Sequence, residues 1–499
     1  MWLTKAVILT GLLLSSTVEK GTSEPLGKKS TLWGPGLQNG GPLPVRYFFL
    51  QAANEQGINY TTSPGIESFI IRVRGEPSRD SGRIRVWIDK LDRRDGTFIV
   101  RYRLYATHDE VHVEITNSDG VHLDASPYRL VGPVRHEDCA CSTRNATAWR
   151  ASMNCRASEP QVRASLSHFD VASIDLDATV TTMRDRFRDG SFAHYTIVKN
   201  RVYRTTLGSI VGFKQFSDAI LLSLARKVRL PDVEFFVNLG DYPVAIARPF
   251  LPIFSWCGST ESGDIVMPTY DVTQSTMEML GRVSLDLLSV QGNTGPSWDE
   301  KVEKGFWRGR DSRQERLDFV SMARNRTDMF DAALTNFFFF EHDEKKYGPK
   351  VKHISFFDFF KYKYQINIDG TVAAYRLPYL LAGDAVVFKQ DSSYYEHFYN
   401  ELEPWVHYIP LKSDLSDVIE KIEWARSHDE EARQIGRNGQ QFVRDHLMPP
   451  DIYCYLQKLF YEYSKRLKTK PKVRDGMELL EQPKECECSH EKKKGKDEL

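Results

Sequence analysis

Three groups of residues in this 499-residue chain have types and spacings that could do chemistry. The first is Phe306-Trp307-Arg308-Gly309-Arg310-Asp311-Ser312-Arg313 with Arg316 beyond, which sets guanidinium groups around a glycine where a backbone can approach a ligand. The second is Asp369-Gly370-Thr371-Val372-Ala373-Ala374-Tyr375-Arg376, a turn followed by a helix-capping residue, so that free helix N–H groups and an arginine converge on an anion. Both suit a phosphate-bearing ligand. The third is Gly240-Asp241-Tyr242-Pro243, which puts a carboxylate at the end of an apolar run, where a general base would sit in an α/β fold. Each has a plainer reading: an ion-paired basic surface, a βαβ turn that binds nothing, and a Gly-Asp turn. The flanking Phe306 and Trp307 argue against mere solvation of the first group, because they suggest a strand end anchored in a core.

Alternating strands and helices have to position these groups. Residues 364–368 read as a strand and 385–388 as the next. Between them Thr371 caps a helix with Val372, Ala373 and Ala374 in its first turn and Arg376 one turn in, limited by Pro378 and Gly383. Upstream, 194–198 and 201–205 suit a hairpin over Lys199-Asn200, 216–227 a helix, 233–239 and 253–256 strands, and 277–288 a helix. Phe169, Ile174, Leu176 and Val180 suit one helix face. Phe337, Phe338, Phe339 and Phe340 lack periodicity and are expected in the core. His407 reads as a structural histidine. Helices are expected over 413–427, 430–446 and 452–467. Residues 469–499 are charged, poor in apolar side chains, and read as a disordered tail.

Residues 25–134 look all-β. Candidate strands at 46–53, 68–74, 83–89, 97–105, 112–116 and 128–131 recur at regular intervals, and Ile84, Val86 and Ile88 alternate with Arg83, Arg85 and Trp87 as a half-buried strand requires. That pattern predicts a sandwich. His108, His112 and His122 show no metal-ligand clustering.

Apolar residues at 41% and charged at 27% describe a globular protein of more than one domain. Lys plus Arg equals Asp plus Glu at 67 each, which points to no nucleic-acid partner. Residues 1–20 read as a secretory signal, with Lys5 before a short apolar core, and no stretch is long enough to span a membrane. Lys496-Asp497-Glu498-Leu499 is a retrieval address read by the KDEL receptor, so the protein is expected in the endoplasmic reticulum lumen. In that compartment Asn59, Asn145 and Asn325 are N-glycosylation acceptors, and disulfides are permitted. Seven cysteines stand at 139, 141, 155, 257, 454, 486 and 488; no second cluster has zinc-ligand spacing, so bridging rather than metal binding is expected.

Two resemblances follow. Gly34-Pro35-Gly36-Leu37, Asp95-Gly96-Thr97-Phe98-Ile99-Val100-Arg101-Tyr102 and Ala125-Ser126-Pro127-Tyr128 are similar to motifs of filamin-type immunoglobulin-like repeats. Asp241-Tyr242-Pro243, Trp307-Arg308-Gly309, Lys361-Tyr362-Lys363-Tyr364, Asp369 through Arg376 and Pro404-Trp405-Val406-His407-Tyr408-Ile409-Pro410 resemble the Rumi-like protein O-glucosyltransferases, in particular their KDEL-motif-containing members. The resemblance implies a filamin-type β-sandwich over 25–134 followed at 135–468 by an α/β GT-B glycosyltransferase with two Rossmann-like halves. It implies inverting transfer of glucose from UDP-glucose, with UDP-xylose as a second donor, to serines of folded EGF-like repeats of Notch-type and extracellular-matrix proteins. No metal or other cofactor is implied. By motif match Asp241 is the catalytic base, while Arg308, Gly309, Thr371, Val372, Ala373, Ala374 and Arg376 hold the diphosphate. The resemblance also implies disulfides Cys139–Cys454 and Cys141–Cys155, leaving Cys257, Cys486 and Cys488 unassigned. The chain departs from the family pattern at Gly240, where an arginine is usual, and in the loop 257–272. A different reading is a lumenal binding or chaperone protein, with the filamin-type domain as its working part and an inactive transferase as scaffold; the retained Asp241, Arg308 and Arg376 favour the enzyme.

Overall fold

The computed structural model describes residues 26–77, 85–278 and 286–483. The expected signal segment, the KDEL sequence, Cys486 and Cys488 lie outside the described residues.

The N-terminal module is a sandwich of two antiparallel sheets. One has the order Thr31–Trp33, Arg46–Gln51, Thr97–Leu104, Val86–Asp92, and the other Phe69–Pro77, His108–Asn117, Tyr128–Val134. Alternation along the strands sends side chains to two cores. Phe48, Leu50, Phe98, Val100 and Tyr102 fill the space between the sheets. Tyr47, Phe49 and Ile99, one residue out of phase, pack instead into the hydrophobic core of the following α/β region. Arg101 shares that outer face, pairing with Asp89 at 2.8 Å and with the buried Asp286 at 3.4 Å. The module is thus bonded to the rest of the chain by core packing as well as by the connection.

The α/β region has two sheets. The first runs Ile265–Val266, Ile253–Ser255, Val233–Asn238, Phe192–Val198, Arg201–Leu207, Glu478–Leu479. Its first three strands are parallel; the others pair antiparallel, the hairpin turning on Lys199 and Asn200, both at positive φ. The first half is therefore a mixed sheet rather than a regular Rossmann repeat. The second sheet, Phe330–Asn336, Val302–Arg310, Tyr362–Asn367, Val386–Gln390, Ile409–Leu411, is parallel throughout, with Tyr362–Asn367 and Val386–Gln390 buried along nearly their whole length. Helix Asp429–His446 follows the second sheet, and Pro449–Ser464 returns to the first, where the Tyr455 hydroxyl donates to the Val266 carbonyl at 2.6 Å and Tyr463 to that of Glu234 at 3.0 Å.

Several expectations are corrected. Cys155 is bonded to Cys454 across 299 residues of sequence, with Cα atoms 5.5 Å apart, so neither Cys139–Cys454 nor Cys141–Cys155 forms. Asn154, at positive φ, turns the chain after helix Ala146–Ser152, and Arg150 donates to the Cys454 carbonyl at 3.3 Å, holding that helix against the return helix. Cys139 and Cys141 are disulfide-bonded, to neither of these partners, and Cys257 is a buried free thiol. Residues 469–483 are not a disordered tail: Glu478–Leu479 extends the first sheet, Arg474 pairs with Glu234 at 2.8 Å and also with Asp177, and Gln482 donates to the Leu222 carbonyl at 3.2 Å. Charges that suggested solvation are matched by carboxylates on that edge. Phe169 and Ile174 lie between helices Pro160–Leu166 and Leu176–Arg186, and the helix expected over 277–288 starts earlier, at Tyr270–Glu278. Asn59, Asn145 and Asn325 are exposed, and Asn145 caps its helix by accepting from the Ala148 amide at 2.9 Å.

Candidate active site

Strand Val233–Asn238 ends in the loop that carries Asp241. Asn238 braces this loop, donating to the Tyr242 carbonyl at 2.6 Å and accepting from the Gly240 amide at 3.0 Å. Further on, Asp264 accepts from the amides of Val244 and Ala245 at 3.1 and 2.8 Å. The Cys257 thiol donates to the Asp241 carbonyl at 3.4 Å. The loop is thereby tied to the end of its own strand at Asn238 and, at Cys257 and Asp264, to the segment between strands Ile253–Ser255 and Ile265–Val266. Burial pushes the Asp241 carboxyl above the ordinary range, opposed by the charge of Arg310. The cation acting on the carboxylate comes from the second sheet, not from position 240.

Strand Val302–Arg310 brings the arginines to the other side. Phe306 and Trp307 are buried beneath them. The Arg308 guanidinium donates to Asp331 Oδ1 at 2.6 Å and to its carbonyl at 2.9 Å, so part of its charge is already matched. At Gly309 an added Cβ would come within 2.7 Å of the Trp307 indole and 3.4 Å of the Arg376 guanidinium. Glycine is required there by protein neighbours rather than by room for a ligand. Arg316, buried over the Trp307 ring, donates to the carbonyls of Asp369, Ile368 and Arg310 at 2.6, 2.9 and 3.0 Å. It fastens the first basic group to the segment that follows strand Tyr362–Asn367.

The segment 368–376 is not the helix start that the sequence suggested. The helix is Leu377–Ala382, with Arg376 as its N-cap. Val372, Ala373 and Tyr375 pack into the core, and the chain closes a tight turn there, with Gly370 N–H donating to the Val372 carbonyl at 2.8 Å. Arg376 donates to the Arg308 carbonyl at 2.6 Å, joining the two segments.

Asp241, Arg308, Gly309, Thr371, Val372, Ala373 and Arg376 all line one cleft of about 560 Å3 between the two sheets; Ala374 is buried behind it. Arg310, Arg316, Tyr270, Asp271, Thr335, His353 and Phe338 line it too. Among the described residues, neither Arg316 nor Arg376 has a carboxylate within ion-pair distance. Burial lowers Arg376 to about 10, and burial together with the neighbouring Arg376 charge lowers Arg316 to about 9. Arg316 feels the nearby Asp369 carboxylate and spends its donors on backbone carbonyls, whereas Arg376, in a low-dielectric cleft, has no carboxylate partner among the described residues, which makes it the cation an anion would meet. Among the described residues no group of His, Cys, Asp and Glu is arranged to hold a metal ion.

The sequence reading missed Asp271. It stands in helix Tyr270–Glu278, its carbonyl accepting from the Tyr379 hydroxyl at 2.8 Å, and its carboxyl is pushed up to about 6, first by burial and then by the charge of Asp241. An acidic residue in a helix first turn is ordinary in sequence, and only the fold sets it beside Asp241. Asp311 was likewise passed over. It is fully buried and accepts from the amides of Phe338, Phe339 and Phe340 at 2.8 to 2.9 Å. His407 is structural as read, its Nδ1 accepting from the Glu403 amide at 3.0 Å.

The family model of glycosyl transferase family 90 matches residues 150–498. Protein O-glucosyltransferase 2 of Danio rerio is 57% identical over 479 residues, covering 94% of each chain. Protein O-glucosyltransferase 3 of Homo sapiens is 49% identical over 507 residues, covering 99% of each. Protein O-glucosyltransferase 1 of Homo sapiens is 32% identical over 300 residues, covering 58% of this chain and 76% of that one.

Proposed function

This chain belongs to glycosyl transferase family 90 and is a glycosyltransferase of the protein O-glucosyltransferase type, and on that premise we propose that it moves glucose, with inversion, from UDP-glucose to serine hydroxyls of folded EGF-like repeats. UDP-xylose is proposed as a second donor. The two sheets act as the halves of a GT-B fold, with donor on the second and acceptor on the first. Work in the endoplasmic reticulum lumen, retention through the KDEL receptor, and acceptors in Notch-type and extracellular-matrix proteins belong to the same proposal.

The observation that carries it is the Arg376 guanidinium, without a carboxylate partner among the described residues, lining the same cleft as a carboxylate that burial makes more basic. In the step proposed, Asp241 takes the proton from the serine hydroxyl as that oxygen attacks the anomeric carbon from the face opposite the diphosphate. The new carbon–oxygen bond forms while the bond to the diphosphate breaks, and UDP departs with the electron pair. The developing negative charge falls on Arg308 and Arg376 and on the backbone amides of 371–374. Arg316 keeps these segments in place. Fixed cationic groups in a site with little water stabilise such a leaving group without reorganising.

The test is mass spectrometry of a panel of folded EGF-like repeats after incubation with the purified protein and UDP-glucose, with UDP-xylose in parallel. A hexose on serine is expected with the wild type. Asp241→Asn is expected to keep UDP binding and lose transfer, since it removes the base and leaves the diphosphate contacts. Full turnover by this variant would sink the assignment of the base.

A further inference from the structure

Residues 338–340 lie at the cleft mouth with three consecutive phenylalanines in solvent: Phe338 is 69%, Phe339 59% and Phe340 37% exposed. The run is not in the core, contrary to the sequence expectation; only Phe337 packs inward, against His342 and Tyr347. Apolar rings left in water in a row mark a surface made to be covered. The segment is also held in one shape, because the buried Asp311 carboxylate accepts the amides of all three residues. Asp311 directly follows Arg310, so the ledge is fastened to the strand that carries the anion site. Phe338, Ile354 and Phe356 line the cleft, whereas Phe339 and Phe340 do not. Across the opening, just after Asp241, Tyr242 is 56% and Ile246 69% exposed.

We infer that the phenylalanine ledge is the docking surface for the polypeptide acceptor, taking an exposed apolar or aromatic side chain of a folded substrate while one hydroxyl reaches Asp241. The inference rests on the acceptor reading proposed above. Its geometric basis is size. A cleft of about 560 Å3 suits a nucleotide sugar and a single side chain but cannot admit a folded domain. The body of a protein acceptor must then rest on the rim, and this rim is apolar and continuous with the cleft wall through Phe338. A donor confined to the cleft does not extend to Phe339 or Phe340. Pre-ordered aromatic rings are efficient anchors, since little side-chain freedom is lost when they are covered.

The experiment compares the full-length wild type with Phe339→Ser and Phe340→Ser, measuring glucosylation of a folded EGF-like repeat, hydrolysis of UDP-glucose to water, and UDP affinity. Neither change removes a backbone donor to Asp311, so thermal midpoints close to wild type are expected. The KM for the repeat should rise about tenfold or more, with kcat at saturation, hydrolysis and UDP affinity within about twofold. An unchanged KM overturns the inference. So does a loss of UDP affinity, which would place the rings on the donor, or a wild-type dimer that the substitutions dissociate, which would make the ledge a self-interface. Wild-type protein that hydrolyses UDP-glucose but glucosylates no repeat would overturn the acceptor reading itself, whereas wild-type transfer unaffected by the serines overturns only the ledge.

Discussion

Asp241 and Asp271 face one cleft, and burial penalises the charge on both. A base works ionised, so transfer is expected to fall as pH drops through the raised value of Asp241. Asp271 is pushed up to about 6 by burial and by the charge of Asp241, and by reciprocity its negative charge, when ionised, makes Asp241 a better proton acceptor. Replacing Asp271 by Asn should therefore move the acid limb of kcat/KM to lower pH. Profiles of wild type and variant would show this, and a limb left in place would mean that the two carboxyls do not communicate. Arg376 belongs to the same scale. It bridges to the Arg308 carbonyl and has no carboxylate partner among the described residues, so Arg376→Ala should weaken UDP binding on the order of 1.5 to 3 kcal/mol, the cost of a charged hydrogen bond. Calorimetric titration with UDP is the check, and an unaltered affinity would put the diphosphate elsewhere.

At the scale of elements, the segments flanking the parallel strands carry the specialised geometry. Strand Tyr362–Asn367 was legible over residues 364–368, which run into the Asp369-Gly370 turn, whereas Val302–Arg310 was legible only at its end, where Phe306 and Trp307 suggest anchoring in a core. The loop 368–376 was not, since Thr371 offers a good helix cap locally and the burial of Val372, Ala373 and Tyr375 overrides it. The run 337–340 misled for a related reason: composition says core, but the amides of 338–340 are claimed by the acidic side chain of Asp311, just past strand Val302–Arg310. Asp311→Ala leaves those amides without their acceptor. A loss of stability on the order of 3 kcal/mol is expected from the denaturant midpoint, together with faster amide exchange confined to 338–340. Exchange unchanged in that segment would show that something else holds it.

At the scale of the molecule, the β-sandwich and the α/β region share a core. Tyr47, Phe49 and Ile99 cross into it, and Arg101 pairs with Asp286, which is fully buried. Arg101→Ala would leave that carboxylate short of its cation, a change that costs about 3 to 5 kcal/mol in buried pairs. We expect the wild type to melt in one transition that this variant lowers or splits, followed by calorimetry; two independent transitions in the wild type would contradict the shared core. The Cys155–Cys454 bridge ties the return helix to the segment that follows the sandwich, within the same hydrophobic core that receives Tyr47 and Phe49. Cleft geometry therefore depends on contacts spread over nearly the whole described chain.

The sequence by itself determined the sandwich strands, most of the α/β alternation and the two basic segments with Asp241, because each is a matter of local periodicity, turn chemistry and motif spacing. Tertiary structure alone decided what those segments meet. It set Asp271 beside Asp241 and Arg310 across from it, paired Cys155 with Cys454, laid residues 469–483 along a sheet edge, and turned residues 338–340 outward onto Asp311. All of these depend on distances between residues far apart in the chain, and a periodic pattern reports which face of an element is apolar without reporting which partner that face or its termini will find.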